Sequence, residues 1–135
     1  MATEVEVNAA GEVRIPRVVA ACDSGQAVSP DGIRNQIEGG IVQSASWTLY
    51  EQVGFDKTRV TSRDWESYPI MRFSAAPESV EVHVIDRPGQ PFLGAGEASQ
   101  GPAAAAIANA IAQATGSRLR DLPFTPERLK AAMGA

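Results

Sequence analysis

Gly94-Ala95-Gly96-Glu97 sets a carboxylate on a glycine-flanked turn, five residues before an alanine-rich stretch that opens at Pro102. Glycines leave the backbone free to take positive φ and to lie close to a bulky group with no side chain between. A carboxylate mounted there can be aimed at a ligand and can serve as a general base, which must sit within reach of the proton it removes. The same string fits an ordinary strand-to-helix loop with an exposed glutamate, because short glycine motifs recur by accident. The remaining reactive side chains stand alone. His83 is the one histidine, in Val80-Glu81-Val82-His83-Val84-Ile85, where alternation puts it on the face opposite Val82 and Val84. That reads as a sheet-surface histidine, with no second histidine to complete a metal site and no nucleophile signature beside it. Cys22 is the one cysteine, so there is no internal disulfide and no thiolate metal cage. Its neighbours Val18, Val19, Ala20 and Ala21 suggest a small buried residue at a strand end, with a reactive thiol as the alternative. A hydrolase built on Asp23, Asp31 or Glu97 as acid–base pairs has no supporting motif, and no metal ligand is nominated.

The elements that must carry these residues follow from pattern. Glu4-Val5-Glu6-Val7 reads as a short strand, Asn8 to Gly11 as a turn, and Glu12 to Cys22 as a longer returning strand. Pro16 inside it implies an edge position or a bulge. Ser29-Pro30-Asp31 is a helix-start signal, and Ile33, Ile37, Ile41, Ala45 and Leu49 then recur every four residues to about Tyr50. Gly39 and Gly40 interrupt that helix at about 1 kcal/mol each relative to alanine. Two explanations stand: a neighbour crossing at short distance, or a cofactor lying against the helix. Arg59 to Trp65 and Ser79 to Asp86 are further strand candidates and suggest a second hairpin, with irregular backbone around Tyr68-Pro69 and Ala76-Pro77. Pro102 to Thr115 is a helix stopped by Gly116, with a stripe of Ala104, Ile107, Ala108, Ile111 and Ala114. A last short helix runs from Thr125-Pro126-Glu127 to about Met133, ahead of a frayed tail. The expected class is α+β: β-hairpins or a small mixed sheet packed with two main helices.

The 135 residues make one domain or a piece of a larger one, and the hairpin and the glycine-interrupted helix both look as if they expect neighbours. The net charge of −4 is mild, lysine and arginine are scattered and aromatics are few. That argues against a dedicated nucleic-acid or anionic-membrane surface. No apolar run reaches membrane-spanning length. Met1 to Val7 lacks a basic region leading into an apolar stretch, so no targeting signal is expected in this segment.

Six stretches, in order and at matching spacing, cover nearly the whole chain: Val18-Val19-Ala20-Ala21-Cys22-Asp23-Ser24-Gly25, Pro30-Asp31-Gly32-Ile33-Arg34-Asn35-Gln36-Ile37-Glu38-Gly39-Gly40, Tyr68-Pro69-Ile70-Met71-Arg72, Leu93-Gly94-Ala95-Gly96-Glu97, Ala106-Ile107-Ala108-Asn109-Ala110 and Thr115-Gly116-Ser117-Arg118-Leu119-Arg120-Asp121-Leu122-Pro123. Together they resemble the C-terminal part of the molybdopterin-binding subunit of the xanthine dehydrogenase/aldehyde oxidase family. The resemblance is greatest to the bacterial branch containing nicotinate dehydrogenase and isoquinoline 1-oxidoreductase. Ser29 departs from the more usual asparagine before Pro30, although both residues can cap a helix.

The resemblance implies that Glu97 is the general base of a molybdenum hydroxylase, which places water-derived oxygen on an N-heteroaromatic ring or an aldehyde. Such a carboxylate would be shielded from bulk water. Gln36 would hydrogen-bond the cofactor, its amide both donating and accepting as a pterin edge requires. The backbone of Gly94, Ala95 and Gly96 would pass beside the metal centre. The implied cofactor is molybdenum–molybdopterin in its cytosine dinucleotide form. The implied partners are the remainder of the molybdopterin-binding subunit, an iron–sulfur subunit and a small heterocyclic or aldehyde substrate. In the family the subunit is several times longer and grips the cofactor largely upstream. The expectation is therefore that residues 1–135 are a C-terminal fragment or a split part of that domain, with a main body at 4–124 and a short helix and tail at 125–135. Isolated, it would hold no cofactor and be inactive. The compartment stays open between bacterial cytoplasm and periplasm. The competing reading is a non-catalytic α+β interaction or assembly module that keeps the fold without using Glu97.

Overall fold

Apolar alternation and a helical four-residue stripe are the two patterns that build the domain, and a computed structural model describes residues 1–134 of it. Strand β1 (Ala2–Val7) and strand β2 (Val13–Asp23) pair antiparallel, from Ala2 opposite Val19 to Val7 opposite Val13. The Asn8–Gly11 turn forms as expected. The Asn8 side-chain oxygen accepts from the Ala10 and Glu12 amides, and Gly11 takes φ +84°. Pro16 marks a bulge, not an edge. Glu4 faces Arg17 and Glu6 faces Arg14, so Val5 alone opposes Ile15 and Pro16 in the central strand. The extra residue absorbs the amide that proline cannot donate to the ladder.

Strand β3 (Val80–Ile85) is parallel to β2, from Val18 opposite Val80 to Asp23 opposite Ile85. The expected second hairpin is therefore absent. Arg59 to Trp65 is no strand; only an isolated Phe55–Val60 bridge forms there. Local side-chain bonds take the backbone donors instead. Asp56 Oδ1 accepts from the Thr58 and Arg59 amides, and Asp64 Oδ1 accepts from the Ser67 amide. Such bonds offer the chain an alternative to a ladder. A parallel partner requires a long crossover, and helix α1 (Pro30–Leu49) with the loop after it supplies one.

Helix α1 buries Ile37, Ile41, Ala45 and Leu49, while Ile33 is only partly buried. Ser29 stands at its N-cap, yet its hydroxyl makes no capping bond. Helix α2 (Gln100–Thr115) starts two residues earlier than expected; of the anticipated stripe Ile107 and Ile111 are buried, while Ala103 rather than Ala104 completes the buried face. Gly116 ends it at φ +72°. Helix α3 (Pro126–Met133) is capped by the Thr125 hydroxyl, and its Leu129 is fully buried in the core. The tail's last residue, Ala135, lies outside the described residues. Helix α2 packs on β1, α1 on β3, and the two helices on each other, enclosing one core. The strands also carry Glu4, Glu6, Arg14, Arg17, Glu81 and His83, whose ion pairs lie in solvent. His83 is thus a sheet-surface residue, with Nε2 2.8 Å from Glu81. No helix among the described residues is long and apolar enough to cross a membrane. The α+β expectation of a small mixed sheet with two main helices holds.

Candidate functional site

Parallel pairing brings the carboxyl ends of β2 and β3 side by side, with Asp23 opposite Ile85 as the last pair. Two loops leave from this one end of the sheet, residues 24–29 into α1 and residues 86–99 into α2. Between them and the first turns of α1 opens a hollow of about 550 Å³, bordered by Val28, Ile33, Gln36, Phe92, Ala95 and Gly96. Three of the expected site residues, Gln36, Ala95 and Gly96, therefore share one wall. A methyl group on Gly96 would lie 3.5 Å from Gln36 Nε2, an ordinary contact distance.

Glu97 sits one residue beyond the hollow's rim, in the turn that leads into α2. Its carbonyl accepts from the Gln100 amide at 3.2 Å. Its carboxylate is exposed and makes no hydrogen bond or ion pair among the described residues. The expected shielding from bulk water is thus not supplied by the described residues, because no segment among them folds over position 97. The amide of Gln36 is likewise exposed and unbonded. Gly94 and Gly96 do not use positive φ. What Gly94 leaves is open space, with no atom within 4 Å of where a side chain would begin. A bulky group could lie there against bare backbone.

Of the two explanations for the glycine pair of α1, the close crossing holds at Gly40 only. Gly40 is buried at the crossing with the start of α2, where a methyl group would sit 2.2 Å from Ser99 Oγ. Ser99 is buried and donates to the Ile37 carbonyl at 2.9 Å, and Ser44 donates to the Gln100 carbonyl at 3.0 Å. The short crossing explains Gly40. Gly39 meets nothing within 4 Å and faces open space.

Sequence reasoning gave no role to the junction that holds the two loops together. Asp23 and Arg87 form an ion pair, the Arg87 amide donates to the Gly25 carbonyl at 3.1 Å, and the Ala27 amide donates to Asp86 Oδ1 at 2.8 Å. The Gly25 N–H, bonded to Asp23 Oδ1, does most to hold the Asp23 carboxyl below its usual range; partial burial opposes it and Arg87 assists. The available signal was the Asp23-Ser24-Gly25 turn at the strand's end. Cys22 is half-buried rather than buried and lines a small recess with Ala20, Ile37 and Ser99. No group of three histidine, cysteine, aspartate or glutamate side chains is placed to hold a metal ion among the described residues.

Residues 1–77 match the family described as molybdopterin cofactor-binding domain, a span that includes Gln36 and stops short of Glu97. A nicotinate dehydrogenase subunit of Pseudomonas putida is 48% identical over 124 residues, 92% of this chain and 10% of that protein. The beta subunit of isoquinoline 1-oxidoreductase from Brevundimonas diminuta is 33% identical over 127 residues, 93% of this chain and 16% of that protein. Among solved structures, quinoline 2-oxidoreductase from Pseudomonas putida 86 superposes with a TM-score of 0.85 at 26% identity, over 96% of this chain and 18% of that one. Aldehyde oxidoreductase from Desulfovibrio gigas superposes with a TM-score of 0.84 at 28% identity, over 98% of this chain and 15% of that one. The chain spans between 10 and 18% of the length of these relatives.

Proposed function

The chain belongs to the molybdopterin cofactor-binding domain family, and from that premise we propose that it is part of the catalytic subunit of a molybdenum hydroxylase, with Glu97 as its general base. The observation that carries this reading is a juxtaposition. The Gln36 side-chain amide and the backbone of Ala95 and Gly96, without hydrogen-bond partners among the described residues, border one hollow, with Glu97 next in the chain. The residues present fit a pterin cofactor on their own chemistry. Gln36 offers a donor and an acceptor together, and Gly94 leaves bare backbone open to a bulky neighbour. Gln36 and the 94–96 backbone would hold one edge of the group, here proposed as the cytosine dinucleotide form. When bound, the molybdenum centre supplies the two-electron oxidation that puts water-derived oxygen on an electron-poor carbon of an N-heteroaromatic ring or an aldehyde. Glu97 would accept the proton released in that step and pass it to solvent.

An exposed Glu97 is a poor base until water is excluded around it, so the proposal includes further polypeptide: the remainder of the subunit, and an iron–sulfur partner to take the electrons. Exposed Trp65, Phe73, Phe92 and Leu93 support a covered surface. The isolated chain is proposed to hold no molybdenum and to turn over nothing. The exposure of Glu97 favours one other reading, a non-catalytic assembly module of the same fold. Glu97→Gln in the complete, cofactor-loaded enzyme separates the two. The catalytic reading expects a rate loss of about a hundred- to ten-thousandfold with molybdenum content unchanged. Unaltered turnover leaves the assembly module.

A further inference from the structure

The segment that carries Glu97 is strung between two anchors. At one end the Leu93 amide donates to the Ser24 carbonyl at 2.8 Å; at the other, Ser99 Oγ donates to the Ile37 carbonyl at 2.9 Å. No hydrogen bond joins Gly94, Ala95, Gly96, Glu97 or Ala98 to any residue before 94, among the described residues. The position of the carboxylate is therefore set by the anchors. The α2 anchor is rigid, since Ser99 is buried against α1. The other depends on how residues 86–93 lie on residues 23–28.

That lie is tightly specified. Gly25 has φ +76°, and a methyl group there would come 1.9 Å from the Pro91 carbonyl oxygen, so the two loops touch backbone to backbone. The Arg87 amide bonds the Gly25 carbonyl, the Gly89 amide reaches Gln26 Oε1 at 3.3 Å, and Asp86 holds the Ala27 amide. Asp23 accepts from the Arg87 side chain and from the Gly25 amide at once. Asp23, Gly25, Ala27, Asp86, Arg87 and Gly89 each bond across to the other loop or order their own, and none of the six lines the hollow.

We propose that Asp23, Gly25 and Arg87 are positioning residues for Glu97: they clamp the loop after β3 onto the loop after β2 and so fix where the carboxylate stands relative to Gln36. This rests on the reading of Glu97 as the base. The clamp acts through Leu93, four residues before the carboxylate, and a shift of about 1 Å in a reacting group is enough to cost a large part of a rate. The arrangement also explains a pairing of residue types, an aspartate and a glycine two apart at the end of one strand and an arginine two past the end of its parallel neighbour.

The test uses the complete, cofactor-loaded enzyme and two readouts, amide hydrogen exchange of residues 92–98 and steady-state kinetics. Arg87→Gln removes one exposed ion pair, so exchange in 92–98 rises about two- to fivefold and kcat falls by a similar factor, with KM and molybdenum content unchanged. Arg87→Lys restores most of both. Gly25→Ala strains a left-handed position and drives the loops apart, and the same readouts move tenfold or more. Should Gly25→Ala not fold, the Arg87 pair of variants decides. Unchanged exchange in 92–98 overturns the clamp, and faster exchange with an unmoved kcat overturns its positioning role. Failure of the base reading shows separately: Glu97→Gln would keep full rate with normal loop exchange, and the clamp would then stand or fall on exchange alone.

Discussion

A methyl group built on Gly40 would sit 2.2 Å from the hydroxyl oxygen of Ser99, at the point where α1 crosses the start of α2. Ser99 is 2% exposed and its hydroxyl is engaged with the Ile37 carbonyl, so it has little room to yield. The crossing thus fixes both the helix pair and the downstream anchor of the Glu97 loop.

Gly40→Ala is expected to destabilise the domain by about 1–3 kcal/mol, because overpacking outweighs the gain in helix propensity. Ser99→Ala alone forfeits one buried hydrogen bond, about 1 kcal/mol. It also removes the clashing oxygen, leaving Cβ at 3.6 Å. The double variant should therefore cost less than the sum of the singles, a coupling that urea unfolding of all four proteins measures. Gly39→Ala is expected to have the opposite sign, a gain of up to about 1 kcal/mol, since nothing lies within 4 Å of the added methyl. Equal losses at positions 39 and 40 would contradict this account of the glycine pair.

Acid should weaken the fold through a specific set of carboxylates. Thr58 holds Asp56 below its usual range, mainly through its hydroxyl, and Ser67 does the same for Asp64, chiefly through its amide. Glu81 is lowered by Arg17 first and His83 second, and Asp23 chiefly by the Gly25 amide. A folded-state value below the unfolded one means that the unfolded chain binds protons first. The stabilisation is complete above the unfolded carboxylate range and is lost as pH falls through the lower folded values. Urea midpoints should hold steady from pH 7 to about 5 and decline below about pH 4. Asp23→Asn should make the decline shallower. A midpoint that rises on acidification would refute this assignment.

Helices and strands were legible in the chain where local periodicity decides them, as in Ile37, Ile41, Ala45 and Leu49, or Val80 to Ile85. Pairing was not. Val18 meets Val80 in parallel across more than sixty residues, and no local pattern announces whether a strand finds its sequence neighbour or a distant one. Arg59 to Trp65 misled for the converse reason. Its apolar residues suit a strand, yet Asp56, Asp64 and Ser67 bind nearby amides and close turns instead. In the site, Gln36 could be singled out from a helix start and Ala95 and Gly96 from a glycine loop, both local features, but that they border one hollow follows from the parallel pairing of β2 and β3. The exposure of Glu97 could not be read, since burial depends on which segments fold over a residue and not on its neighbours in sequence. Gly25 appeared only as part of a string; its contact with Pro91 exists because two parallel strands end together.

The long loop after α1 separates residues that hold this domain from residues that do not. Val53, Val60, Trp65 and Tyr68 line one open groove of about 440 Å³, and Trp65 is 69% exposed. Ile41, by contrast, is wholly buried between the helices and the sheet. Truncating a buried isoleucine removes its transfer energy and leaves a cavity, so Ile41→Ala should cost about 2–5 kcal/mol in urea unfolding. Trp65→Ser removes a larger side chain but little buried area, and should stay within about 0.5 kcal/mol of the native chain. The same substitution takes away much of the groove's apolar surface, so binding of a hydrophobic dye to the native state should fall while far-ultraviolet dichroism holds. A loss of stability at Trp65 comparable to that at Ile41 would mean that the groove is part of the core, and the surface attributed above to further polypeptide would lose its support.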